Sequence, residues 1–518
     1  MDDPNRDLTG PRRDELRKPR PAPCLARTSG YNLPMSTRAE TGHLGEYVQR
    51  IGPALDDFLE GNHGDPMTRH DVWSTALAGP LPPDGIGASA VLAELERIVI
   101  PNGARMSEPG FWGWISAGPS TVPTVASLAA TVASPQRYTL TSFNHLEELS
   151  LDWLGELCSL APHMKGVYSS GGSVANLVAL GAARQWALEQ VGVDPAAEGW
   201  ASREVALYTS SEAHHTILRS AGVLGIGRTN VRQIPTDDHQ RLDVRALAAV
   251  LAKDLSAGIV PIAVSATAGT TNTGAVDPLR ETGELCREHG VWFHVDGAYG
   301  LPGILDERVR PLYDGLDLAD SVIVDPHKWL GAPVGIAATY VRDRSILHRA
   351  FTQEPAAYLE GSFGDPADIR VSVDSMGVPY ADFGVELSSP ARGVVVWSIL
   401  RELGRSGVVA RIVHDNDLAR HVAARALESE RLELLAEPTL SICCLRYRAH
   451  VIEDLDHFNA TLFRRLVQET PYLPSSTVVN GKYGLRPCFI NGRTSLEHVD
   501  GFIDAVVRIG DEMAAALS

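Results

Sequence analysis

Two short apolar runs end in residues able to do covalent and acid–base chemistry. SVIVDPHKWLG (321–331) closes on Asp325 and then presents His327 and Lys328, while VWFHVDGAYG (291–300) closes on Asp296 ahead of the small Gly297 and Ala298. An amine just beyond the carboxyl end of a buried strand suits capture of an aldehyde, because only the neutral amine attacks and a partly desolvated site favours that form. A lone lysine after a strand is otherwise a solvated surface charge. Here the flanking Pro326, His327 and Trp329, with the small-residue run 331–335 behind them, argue for a site. Lysine is also scarce, occurring only at positions 18, 165, 253, 328 and 482, so few amines compete for the role. Asp296 has two readings: a carboxylate holding the protonated nitrogen of a flat ring, or the N-cap of the following helix.

Three further segments add polar groups at predicted strand ends. YSSGGSVANLVALGAAR (168–184) is a Gly/Ser turn leading into a helix pattern, where the backbone N–H groups of Gly172 and Ser173 and the Ser173 hydroxyl form a phosphate cradle. A nucleotide phosphate would fit such a cradle equally well, but neither GxxxxGK[ST] nor GxGxxG is matched there. TSSEAHHTILRSAG (209–222) carries the adjacent His214 and His215, one of which can stack on a ring. Adjacent histidines do not share a helix face and no further ligands lie nearby, which argues against a metal. Thr267, in SATAGTTNTG (265–274), ends another strand and can hydrogen-bond a ring oxygen or the lysine.

The elements that must position these groups can be read along the chain. VALYTS (205–210), IVPIAVSAT (259–267), VWFHVD (291–296) and SVIVD (321–325) are β-branched runs separated by helix patterns at 243–255 and 278–289. Apolar strands alternating with helices predict a mostly parallel sheet covered on both faces. Residues 1–35 are polar and Pro/Arg-rich, and are expected to be disordered, with Met35 an alternative start. Helical spacing begins at HLGEYVQRIGPALDDFLE and recurs at 90–98, giving an N-terminal helical arm over 36–110. A large cofactor-binding domain is expected at 111–395 and a small C-terminal α/β domain at 396–518, with LSICCLRY (440–447) as one of its strands.

Composition narrows the function classes. The chain has 518 residues, 44% hydrophobic and 21% charged, with a formal net charge of −18. That balance suits a globular enzyme and gives no electrostatic case for nucleic acid or an anionic membrane. The six cysteines show no CxxC pair and no metal-like spacing, and the N-terminus lacks an apolar signal core. The expectation is a cytoplasmic protein with reduced thiols, acting on a small molecule.

The combination is more specific than its parts. In chain order come a phosphate turn, a histidine pair, a strand-end Thr, a strand-end Asp and, about thirty residues later, a Lys. This arrangement resembles the group II pyridoxal 5′-phosphate (PLP)-dependent decarboxylases, the family of aromatic-L-amino-acid, histidine and glutamate decarboxylases. HVDGAYG is similar to that family's HVDAAYAG and DPHKW to its NPHKW. LDWLGEL (151–157), PGFWGW (109–114) and LRP…INGRTS (485–495) extend the likeness from about Leu44 to the C-terminus.

The resemblance implies a type I PLP (aspartate aminotransferase-like) fold, a homodimer, and decarboxylation of an L-amino acid to its amine. It implies that Lys328 carries PLP as a Schiff base, Asp296 contacts the pyridinium, Ala298 packs on one ring face, and Gly172, Ser173, Thr267 and His327 surround the cofactor. An ungapped match sets His215 on the other ring face, and His215 is the residue carried forward, although the local H-x-[ST] pattern points to His214. Tyr380, in the stretch Gly361–Phe383, matches the mobile-loop tyrosine that returns a proton to the substrate carbon; the alternative is an ordinary loop aromatic. Trp112 and Trp114 either line an aromatic-substrate pocket or pack at a domain junction. TSFNHLEEL (141–149) departs from the family at Asn144-His145, a region expected to line the substrate entrance, and Asp325 stands where the family motif has Asn. Rival chemistries on the same scaffold are a carbon–carbon lyase and an aldehyde-forming oxidative deaminase, the latter disfavoured by a tyrosine at 380. A PLP-fold binding protein without catalysis is the remaining reading.

Overall fold

The computed structural model describes residues 43–61, 69–137, 141–199, 203–352, 377–448 and 452–517. The expected disordered segment 1–35 lies outside them, as does most of the stretch expected to form a mobile loop. The described chain falls into two compact units. The first closes at Gly103 and is helical, with Leu44–Leu59, His70–Leu77 and Ala88–Glu94 followed by a wider turn of helix over Leu95–Val99. Arg50 Nε pairs with Glu96 Oε1 at 2.7 Å within it.

The second unit, Ala104–Ser518 with Leu59–Asn62, holds two sheets. Its strands are β1 (Phe111–Trp112), β2 (Lys165–Ser169), β3 (Val205–Ser210), β4 (Val231–Ile234), β5 (Val260–Thr267), β6 (Trp292–Asp296), β7 (Ser321–Val324), β8 (Ala337–Val341), β9 (Leu432–Ala436), β10 (Cys444–Tyr447), β11 (Leu473–Val479) and β12 (Lys482–Arg486). The larger sheet runs β2-β8-β7-β6-β5-β3-β4, parallel throughout except for β8, which opposes both its neighbours. The four strands expected from β-branched runs are its centre, and each of β3, β6 and β7 is buried along its whole length. Strands covered on both faces need no polar alternation, which is why they read as continuous apolar runs.

The smaller sheet runs β1-β11-β12-β10-β9 and packs its own core, in which Trp112 is fully buried among Tyr472, Phe489 and Phe502. A helix from Gly393 to Glu428 precedes the last four strands of this sheet, bent at Gly404, whose backbone leaves helical geometry at φ 61°, ψ 176°.

Candidate active site

The carboxyl ends of the parallel strands deliver the chemistry. Thr267 and Asp296 are the last residues of β5 and β6 and are register partners, and Asp296 pairs in turn with Ile323 of β7. One turn beyond β7 the chain presents Asp325, His327 and Lys328; beyond β2 it turns through Gly171 into the helix Gly172–Glu189. Gly171 caps that helix at φ 127°, a conformation that glycine adopts freely. Gly172 admits no side chain, since a Cβ there would lie 2.5 Å from Asp325 Oδ2. These ends enclose a cavity of about 490 Å³ lined by Gly172, Ser173, Asn176, His214, Thr267, Asp296, Ala298, Asp325, His327 and Lys328, with Trp114, Ile115, Ser475, Ser476 and Arg486 also on its wall.

A directional hydrogen-bond chain sets the charge on the cavity floor. Indole nitrogen can only donate, so Trp292 Nε1–H gives its proton to Ser321 Oγ at 2.8 Å. Ser321 Oγ lies 2.9 Å from His294 Nδ1, and His294 Nε2 lies 2.9 Å from Asn176 Oδ1. Asn176 Nδ2 then donates to Asp296 Oδ2 at 3.0 Å, and Asp296 Oδ1 accepts the Ala298 N–H at 3.1 Å. An amide oxygen only accepts, so Nε2 carries the His294 proton and Nδ1 accepts from Ser321. Burial holds His294 down to about 4, opposed by the Asp296 charge, so its ring is neutral at neutral pH. Asp296, only 5% exposed, is fixed by two donors, one on each oxygen.

The other polar groups are placed by similar devices. Asp277, fully buried, accepts the backbone N–H of Thr267 and of Leu242, each at 2.7 Å, and burial pushes its carboxyl up to about 6. This clamp aims Thr267 into the cavity, where its buried Oγ1 has no hydrogen-bond partner. His327 Nδ1 bonds the Ile336 carbonyl at 2.6 Å. Lys328 Nζ stands 3.1 Å from Asp325 Oδ2. Trp329, buried behind it, stacks on Tyr299 and donates to Asp415 at 2.8 Å.

Two residues expected at the site are placed elsewhere. His214, not His215, lines the cavity. His215 is the N-cap of the helix Thr216–Val223 and its side chain is exposed, whereas His214 Nδ1 is held 2.9 Å from Thr216 Oγ1. Burial pushes His214 down to about 4 against the pull of Asp296. Tyr380 does not line the cavity. It is buried between the Arg137 and Arg344 guanidinium groups, and its hydroxyl donates to Glu148 Oε2. The resemblance suggested a proton donor; in the described chain its hydroxyl is engaged by Glu148. Likewise no residue of 141–149 lines the cavity, and Asn144 instead exchanges two hydrogen bonds with the Val378 backbone, at 2.9 and 3.0 Å. Trp112 and Trp114 divide: the first packs the small-sheet core, the second sits 67% exposed on the cavity wall.

Asn176 and Arg486 are site residues that the sequence reading passed over. Arg486 is 2% exposed, gives hydrogen bonds to the carbonyls of Trp114, Thr271 and Asn272, and makes no ion pair among the described residues. It stood inside the quoted LRP motif, at the end of β12.

The arrangement therefore offers an amine, a buried carboxyl group at the end of the adjacent strand on the same cavity, an unpaired hydroxyl and a helix start that accepts an anion. The model of the pyridoxal-dependent decarboxylase conserved domain matches residues 81–448. The chain belongs to the pyridoxal-dependent decarboxylase family. Its cofactor is pyridoxal 5′-phosphate, and the residues on the cavity fit that group: Lys328 for the aldehyde, Asp296 for the ring nitrogen, the orphaned Thr267 hydroxyl for a ring oxygen, and Gly172–Ser173 for the phosphate. Among relatives, the aromatic-L-amino-acid decarboxylase of Bacillus atrophaeus is 29% identical over 451 residues, 86% of this chain and 90% of that one. The 4-hydroxyphenylacetaldehyde synthase of Rhodiola rosea is 27% identical over 75% of this chain and 78% of its own. The crystal structure of Oryza sativa TDC with PLP and tryptamine superposes with a TM-score of 0.83 at 25% identity, covering 92% of this decarboxylase-family chain and all of that one.

Proposed function

We propose that this enzyme decarboxylates an L-amino acid to the corresponding amine and CO₂. The observation that carries the reading is the shared cavity, onto which Lys328, the doubly held Asp296 carboxylate and the start of the Gly172 helix all open. When bound, PLP supplies an aldehyde that takes the substrate amine and a ring that accepts the electron pair left as CO₂ departs.

The chain's own groups have distinct tasks in this reading. Lys328 is the amine that would hold the cofactor. Asp296, oriented by Asn176 and Ala298, would hold the ring nitrogen and favour its protonated state. Ala298 and His214, both on the cavity wall, would flank the ring. His214 Nδ1 accepts from Thr216, leaving Nε2–H as the donor on its free side. The unpaired Arg486 charge orients the substrate carboxylate, and the apolar wall of Trp114 and Ile115 favours an aromatic side chain. Proton return to the substrate carbon is not assigned to Tyr380, whose hydroxyl is occupied by Glu148.

We further infer a cytoplasmic homodimer. The helix Thr121–Ala133 exposes Val122, Val125, Leu128 and Val132 along one stripe, at 41, 61, 38 and 58%, a face suited to a second copy of the chain. Cys158, Cys286, Cys443, Cys444 and Cys488 are all buried free thiols, which supports a reducing compartment. No helix among the described residues is long and apolar enough to cross a membrane.

A second reading, oxidative deamination to an aldehyde, gains from one observation: Tyr380 does not face the cavity, so its presence no longer argues against that chemistry. The test of the cofactor assignment is borohydride reduction of the holoenzyme followed by peptide mapping. A pyridoxyl group on Lys328, absent in K328A, supports the reading; modification of another lysine removes it.

A further inference from the structure

Asp325 stands where some members of the family have Asn, and its surroundings give that difference a consequence. The side chain is 2% exposed and its carboxylate lies against Gly172, the first residue of the eighteen-residue helix Gly172–Glu189, where a Cβ would come within 2.5 Å of Oδ2 and 3.2 Å of Oδ1. Neither carboxylate oxygen accepts an aligned hydrogen bond among the described residues. The charged and titratable groups around it are Lys328, with Nζ at 3.1 Å, and His327, with Nε2 at 3.9 Å. Asp296 of β6 and His214 beyond β3 line the same cavity, and the helix start contributes only Gly172 and Ser173 there.

The helix start that would take the phosphate thus already faces a buried carboxyl group, whose nearest cationic neighbours are Lys328 and His327. A phosphate dianion arriving at Gly172–Ser173 meets that carboxyl group at close range. An asparagine at 325 would donate an amide N–H to the phosphate; an ionised aspartate can only repel it. A protonated aspartate is the isostere of asparagine and donates one O–H.

We propose that Asp325 takes up a proton as the cofactor phosphate binds, so that cofactor affinity in this enzyme is proton-linked through Asp325. The inference rests on the proposed placement of the phosphate at Gly172–Ser173.

The test compares PLP with pyridoxal, which lacks the phosphate, in binding to the full-length apoprotein between pH 7 and 8.5. There the PLP phosphate is already a dianion, its second pKa being about 6. Effects of pH on lysine–aldehyde condensation are common to both ligands and cancel in the ratio of their dissociation constants. In the wild type the PLP advantage over pyridoxal should fall by about tenfold per pH unit, the slope of one linked proton. In D325N the ratio should be flat, with PLP bound more tightly than by the wild type at pH 8.5. A wild-type measurement needs no variant: in weakly buffered solution at pH 7.5, PLP binding should take up one proton more than pyridoxal binding. A flat wild-type ratio, equal proton uptake, or parallel slopes in wild type and D325N would overturn the role of Asp325 while leaving Lys328 as the cofactor amine. Equal affinity for PLP and pyridoxal at every pH would instead remove the phosphate placement, and the inference with it.

Discussion

Asn176 is the residue on which the cavity floor depends, and replacing it with leucine tests the directional chain. Its side chain donates to Asp296 at 3.0 Å and accepts from His294 at 2.9 Å, with a longer contact of 3.3 Å to Thr216 Oγ1. Leucine keeps the volume and removes all three. A hydrogen bond to a charged group contributes about 1.5–3 kcal/mol, and a buried donor left unpaired costs about 1–3 kcal/mol. The His294 ring can recover part of this by moving its proton to Nδ1 and donating to Ser321. N176L should therefore lose about 3–5 kcal/mol of apoprotein stability. It should also bind PLP more weakly, because Asp296 keeps only the Ala298 N–H. Asn176→Asp is the sharper perturbation, since it sets a second carboxylate 3.0 Å from Asp296. At an effective dielectric constant near 20 two charges at that separation repel by about 5 kcal/mol. N176D should be worse than N176L above neutral pH and recover as the pair takes up a proton on acidification. Urea unfolding of the apoproteins and PLP titrations at pH 6 and 8 give both numbers. A stability loss under about 1 kcal/mol in N176L with unaltered PLP affinity would refute the chain.

Three other outcomes follow from the same geometry. His214→Phe should lower turnover by about a hundredfold or more, while His215→Phe stays within a few-fold of wild type; the reverse order in steady-state kinetics would restore His215. Tyr380→Phe should cost about 1.5–3 kcal/mol in unfolding free energy through the lost bond to Glu148, with the ratio of products unchanged. A shift from amine toward aldehyde and ammonia would return it to the chemistry. Asp415 is fully buried, and burial pushes its carboxyl up to about 7 against the Trp329 N–H and Arg411. A carboxyl raised in the folded state stabilises below its unfolded pKa and loses that contribution as pH rises through the folded one. Between pH 5 and pH 8 the wild type should lose roughly 3 kcal/mol more than D415N, read from urea midpoints; parallel curves would show Asp415 uncoupled from folding.

What was legible in the sequence is where one local signal coincides with one structural constraint. The runs at 205–210, 259–267, 291–296 and 321–325 could be read because strands covered on both faces admit few polar residues. Their last residues, Thr267, Asp296 and the Asp325–Lys328 turn, then fell at the carboxyl ends of the sheet without further assumption. Strands β2, β4 and β8 were not singled out, being short or composed of small residues such as AATYV. The His214–His215 choice could not be settled from spacing, because adjacent residues at a helix start differ only in which way the turn sends them. Asn176 looked like one polar residue in an apolar helix, and its meaning depends on His294 and Asp296, 118 and 120 residues away in the chain. Tyr380 rests on a match to the family's loop tyrosine, and such a match does not say what the side chain touches.

The central claim is tested most directly by supplying the purified, PLP-loaded wild-type enzyme with each common L-amino acid and following CO₂, amine, ammonia and peroxide together. The account predicts CO₂ and amine in equal amounts from one class of substrate, with aromatic amino acids foremost. Ammonia and peroxide with aldehyde in place of amine, or no CO₂ from any member of the panel, would contradict it.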